Sequence, residues 1–163
     1  MKKELLKGIT MLALIVTLAL ATAVVSANAQ SANSSKVVAN VPFEFSVGYK
    51  SMPAGDYSVQ TIASAGNGLL IQSTDGKISA LRLSDLTQPG KDKPPARLVF
   101  HRYGERYFLA EVWNGADNTG RVLRQSQEET STATELTIAS ANNHASPATQ
   151  TPYELVEVLA VLH

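Results

Sequence analysis

The 163-residue chain contains no cysteine, which excludes disulfides, thiolate metal ligands, cysteine nucleophiles and lipid attachment behind a signal segment. Stability must come from packing alone. It also lacks a surplus of either charge, with 14 Lys and Arg against 14 Asp and Glu. Binding phosphates takes a basic surplus gathered on one face, so no nucleic-acid partner is expected. The three histidines, His101, His144 and His163, show no His-x-x-x-His or other ligand spacing, and neither a metal nor another cofactor is expected. No Gly-x-Ser-x-Gly elbow is present for a serine hydrolase. Ala65-Gly66-Asn67-Gly68 lacks the Gly-Lys-Ser/Thr of a phosphate loop and reads as a turn. Glu44, Glu105 and Glu111 read as solvated carboxylates rather than a glycosidase pair, since Glu44 alternates outward between two phenylalanines and Glu105 sits at a turn.

What is present begins with Lys2, Lys3 and Lys7, then an almost wholly apolar run over residues 9–25, then Ala27-Asn28-Ala29. A basic start, an apolar stretch and small residues at the two positions read by a signal peptidase make a secretory signal over residues 1–29, with a linker at 30–35. The apolar run approaches bilayer-spanning length, so a retained N-terminal anchor is the alternative and the one route to a membrane. Residues 36–163 then form a single, mildly acidic domain.

Residues 41–47 alternate apolar and polar, the mark of a half-buried strand, and Pro42 places its start there or at a sheet edge. Residues 48–55 form a connector, and residues 56–62 a second strand with Tyr57 and Val59 on one side. Asp75-Gly76 between two apolar runs predicts a hairpin pairing Leu70 with Leu81 and Ile71 with Ala80, a central ribbon with apolar pairs on both sides. Residues 84–95, rich in proline and charge, read as an exposed loop. A second hairpin over residues 97–102 and 106–113 reverses at Tyr103-Gly104, pairing Phe100 with Tyr107, Leu98 with Leu109, and Arg102 with Glu105. Its other face, Arg97, Val99 and His101 against Ala110, Phe108 and Arg106, suits solvent or a shallow groove. Residues 114–120 are turn chemistry, residues 125–132 a weak exposed helix, and residues 135–138 a further strand. Residues 139–152 read as a flexible section and 153–162 as a buried strand, because β-branched residues dominate there. The expectation is all-β: a single antiparallel sandwich or small incomplete barrel of six to eight strands, preceded by a signal helix.

Val41-Pro42-Phe43-Glu44-Phe45-Ser46-Val47-Gly48, Met52-Pro53-Ala54-Gly55-Asp56-Tyr57, and His101-Arg102-Tyr103-Gly104 with Trp113 together resemble an uncharacterised family of small exported bacterial β-rich proteins. The resemblance covers about the first two-thirds of the mature chain and implies export and a shared fold; the family has no assigned activity.

Arg97, Arg102 and Arg106 interleave with Phe100, Tyr103, Tyr107 and Phe108, and cations beside aromatic faces stack on sugars, bases or peptides. The plainer reading is a hairpin whose rings fill the core while the arginines reach water. If a binding surface exists, it comprises Arg97, His101, Arg102, Tyr103, Arg106 and Phe108. The function that remains is a non-catalytic β domain, periplasmic or extracellular, that binds a partner or matrix component of the cell envelope. The alternatives are a carrier of a small apolar ligand inside a barrel and a hydrolase with an unusual site.

Overall fold

A computed structural model describes residues 36–62, 67–88, 93–116, 118–142 and 153–163. The chain divides into residues 1–33 and 34–163, and the second unit holds every described residue. The expected signal segment and linker, 1–29 and 30–35, lie outside the described residues.

Among the described residues eleven short strands and one helix follow in order. The strands are β1 (Lys36–Val41), β2 (Phe45–Val47), β3 (Lys50–Met52), β4 (Gly55–Ile62), β5 (Gly68–Ser73), β6 (Ser79–Thr87), β7 (Arg97–Tyr103), β8 (Arg106–Trp113) and β9 (Gly120–Leu123). The helix α1 (Gln127–Asn142) precedes β10 (Glu154–Leu159) and β11 (Val161–Leu162). They form one sheet in the order β10-β7-β8-β9-β6-β5-β4-β1-β11, with β2 on β3 and β8. The ladders are antiparallel except the single β2–β8 contact, Ser46 beside Phe108, so the sheet is mixed rather than purely antiparallel.

The sheet does not close. Its path starts on β10 and ends on β11, yet these are two parts of one terminal stretch separated by Ala160, which donates its N–H to Ala96 O at 3.0 Å. Strand β6 similarly serves two neighbours, pairing with β5 through Leu83 and with β9 from Ser84 onward. At that switch Ser84 donates both its N–H and its hydroxyl to Asn67 O. Strands shared in this way bend the sheet around one core.

That core holds Phe45, Tyr57, Phe100, Met52, Leu69, Ile71 and Leu98, all essentially inaccessible to water. Phe45 meets Tyr57 and Phe100 edge-on at centroid distances of 5.0 and 5.3 Å, and Phe43 stacks on Tyr107 at 4.0 Å. Such pairs add about 0.5–1.5 kcal/mol each beyond the area they bury. Tyr57 keeps its hydroxyl satisfied by donating to Pro53 O at 2.7 Å.

The Asp75-Gly76 hairpin has the expected register, Leu70 opposite Leu81 and Ile71 opposite Ala80. Gly76 sits at φ 75°, the left-handed conformation the turn demands. Several expectations are corrected. The described residues form eleven strands rather than six to eight: β1 precedes the expected 41–47 strand, which is cut at Pro42 so that pairing resumes only at Phe45, β3 and β9 are short strands in stretches read as connector and polar segment, and the terminal strand divides into β10 and β11. Lys50–Met52 is a strand inside the expected connector, and the expected loop at 84–95 begins as strand, since β6 runs to Thr87. Residues 135–138 lie in α1, not in a strand, and the helix spans sixteen residues where a short one over 125–132 was expected. Of the expected flexible section, 139–142 end the helix and 143–152 lie outside the described residues. The terminal strand forms, but its outward side is open rather than buried, with Leu159 73% exposed.

In the second hairpin Tyr103 pairs with Arg106, Arg102 with Tyr107 and Phe100 with Leu109, two residues from the expected register. The turn residues are therefore Gly104 and Glu105, with Gly104 at φ 63°. A bulge between Val99 and Phe100 then sets Leu98 against Val112. A two-residue slip preserves the alternation of faces, so Leu98, Phe100 and Leu109 still point inward.

Candidate functional site

Of the six expected binding residues, five lie on the outer face of β7–β8: Arg97, His101, Tyr103, Arg106 and Phe108. The sixth, Arg102, alternates to the other face. There its guanidinium lies over Tyr107 at 5.7 Å, donates to Gly104 O at 2.8 Å and approaches Glu154 and Glu105 at 3.3 and 3.7 Å. The outer face is neither solvent-facing nor a shallow groove. Val99, Tyr103, Phe108 and Ala110 on it are buried, and the first turns of α1 lie against its polar end.

Local chemistry starts the helix where it does. Ser126 Oγ accepts the Glu129 N–H at 3.1 Å, satisfying an amide that a first turn leaves orphaned, and Ser126 O accepts the Thr130 N–H at 3.0 Å as the first intrahelical bond. Glu128 and Glu129 in that turn complement the positive helix end. Ser126-x-x-Glu129 has capping-box spacing, which was the available sequence signal for this start. The Glu129 carboxylate is turned to the sheet.

Glu129, only 4% exposed, is the centre of the site. His101 Nδ1 lies 2.6 Å from its Oε1, and with a carboxylate as acceptor that nitrogen is the donor. The Tyr103 hydroxyl donates to the same oxygen at 3.2 Å, and Gln125 Nε2 donates to the Tyr103 hydroxyl at 3.4 Å. The Tyr103 pKa is pushed well above the ordinary tyrosine value, first by burial, then by the Glu129 charge and hydrogen bond and by nearby Tyr153. Tyr153 stacks on the His101 ring at 3.9 Å and leans on Tyr103 at 5.5 Å. Beside them Arg106 donates to Glu128 and, at 2.7 Å, to Thr132 Oγ1, with its guanidinium over Phe108 at 5.4 Å. Arg97 sits apart, over Trp113 at 5.6 Å and 3.4 Å from Glu157.

The hairpin residues were legible in the sequence; Gln125, Glu128, Glu129, Thr132 and Tyr153 were not. They come from segments 20 to 50 residues away, and no local pattern announces which carboxylate will meet a histidine. The expected neighbour of His101 was Arg106; its partner is Glu129. Chemically the arrangement presents hydrogen-bond donors and ring faces from the sheet and carboxylates from the helix. Among the described residues no group of three or more His, Asp or Glu is placed to hold a metal ion. No helix among them is long and apolar enough to cross a membrane.

No family model, no curated protein and no solved structure matches this chain.

Proposed function

We propose that the chain is an exported, non-catalytic β module that holds a partner or matrix component in the cell envelope through the outer face of β7–β8. One observation carries this reading: a single strand pair gathers His101, Tyr103 and Arg106 on one face, and those three side chains are met by carboxylates and a hydroxyl of a polar helix. A sheet face that donates hydrogen bonds in directions fixed by its ladders is prepared for an anionic or polar occupant. The signal layout of residues 1–29 supports export. The shared strands β6 and β10–β11 support an incomplete barrel, whose interior rings leave the ligand-carrier alternative without an observation in its favour.

The test places a photo-cross-linking residue at position 106, or at position 75 on the remote turn, in the full chain expressed in a bacterial host. A defined adduct from 106 and not from 75, in the envelope fraction and lost when His101→Gln and Tyr103→Phe are added, is the expected result. Equal labelling from both positions, or none from 106, overturns the reading. The His101–Glu129 pair also favours a second reading, hydrolysis with His101 as base. It predicts turnover of simple esters or glycosides that disappears in His101→Ala, and absence of turnover in the intact chain ends it.

A further inference from the structure

We infer that the occupant of the β7–β8 face is an acidic chain segment presenting two adjacent carboxylates, and that α1 keeps that seat closed in cis. The inference rests on the binding reading above and adds the partner's chemistry and its control.

Two carboxylate seats lie side by side. In one, Glu129 receives His101 Nδ1 and the Tyr103 hydroxyl at 2.6 and 3.2 Å. In the other, Glu128 receives Arg106, whose remaining amino group goes to Thr132. Every donor belongs to the sheet, in positions set by the β7–β8 and β7–β10 ladders and not by the helix. Tyr153, just ahead of β10, walls the first seat by stacking on His101.

Among its described side chains the helix fully buries no large apolar residue: its buried residues are Glu129 and Thr132, with the cap Ser126 just before it, while Ala133 and Leu136 are only half-buried and Ile138 farther along is 57% exposed. A helix held by leucines is retained by the hydrophobic effect, whereas one held by ionic and hydrogen-bonded contacts exchanges them for water. Release also rehydrates the Glu129 carboxylate, removing the desolvation penalty of its burial. Such an element belongs to the low-stability end of a domain, where exchange with a competitor occurs. Alone it would not persist as a helix: Thr130, Thr132, Thr134 and Thr137 turn their hydroxyls back on the carbonyls four residues earlier, a habit that weakens helices.

The probe is a fluorescent peptide of residues 126–142, with a control carrying Glu128→Gln and Glu129→Gln. The receptors are the mature chain, its Glu128→Gln/Glu129→Gln variant, and that variant with His101→Gln and Arg106→Gln added. The acidic peptide should bind the seat-vacated variant at least about tenfold more tightly than wild type, more weakly in high salt, and lose binding in the fourfold variant; the control peptide should not bind. In wild-type protein, amides of residues 127–136 should exchange at least about tenfold faster than those of β7 and β8, and faster still with excess acidic peptide. A folded seat-vacated variant that ignores the peptide overturns the inference, as does a wild-type helix as protected as the strands beneath it. The exchange measurement decides the matter if the variant fails to fold. An adduct at position 106 that the acidic peptide does not displace would leave the binding reading standing and remove the acidic partner.

Discussion

The sheet has two contrasting outer faces. Over β7–β8, a polar helix covers rings and cations, and most charges there are answered. Over β5–β6 the described structure leaves aliphatic side chains in the open: Leu81 and Leu83 are 57% and 70% exposed, with Leu70 opposite Leu81 and Ile62 across Gly68. The difference shows that burial in this molecule does not track hydrophobicity alone. A carboxylate is buried where the sheet supplies donors, while leucines stay wet where nothing among the described residues packs on them. The first arrangement is costly to perturb because removing a partner strands a buried polar group; the second is nearly free to change.

The largest effect should come from the inner side of the bare ribbon. Leu69→Ala, at a position 1% exposed beside those open leucines, should cost about 2–5 kcal/mol in chemical denaturation. A loss below about 1 kcal/mol would mean the two sides of the ribbon do not differ as described. Next, His101→Ala leaves Glu129 buried with Tyr103 as its remaining described donor. Breaking a buried pair costs about 3 kcal/mol, read as roughly a hundredfold loss of amide protection in α1.

Alkali should then act on the covered face. Tyr103 has its folded pKa raised, so its contribution is fully present below the unfolded value near 10 and is lost as pH rises toward the folded one. Tyr57, raised by burial and then by the Asp75 charge, adds to the same alkaline loss. Tyr103→Phe should flatten the stability curve above about pH 10, and Tyr57→Phe should remove part of what remains. Acid acts on the bare ribbon. Hydrogen bonds from Ser73 and Lys77 hold Asp75 down to about 2, so its contribution is present above the ordinary carboxylate value and disappears as pH falls through 2. Asp75→Asn should show a shallower acid loss over that window. Smallest of all, Leu81→Ser/Leu83→Ser should change stability by no more than about 0.5 kcal/mol per site; a much larger loss would show the bare face to be covered.

Legibility followed range. The Asp75-Gly76 turn and the alternation of residues 56–62 and 97–113 were readable because each is decided within a few residues, by φ preference and by period two. The second hairpin slipped by two residues because Tyr103-Gly104 and Gly104-Glu105 both offer a glycine for the turn, and the bulge at Val99 and Phe100 leaves no sequence mark. Residues 135–138 read as a strand because Glu-Leu-Thr-Ile alternates; four residues cannot outweigh a helix begun at the Ser126 cap. Val122, in β9, was lost in a polar stretch because a four-residue strand carries too few positions for any period to show.

By itself the sequence determined a cysteine-free, charge-balanced β domain and the identity of the residues lining one face of its second hairpin. These follow from composition and from the two-residue repeat of extended chain, which need no partner to be read. The tertiary structure decided that α1 would lie on that face, that Glu129 would meet His101 and Tyr103, and that the terminal stretch would join β7 to β1. Those outcomes depend on where distant segments are brought by the sheet order, and a hydrogen bond between residues 28 apart is selected only once the ladders between them have formed.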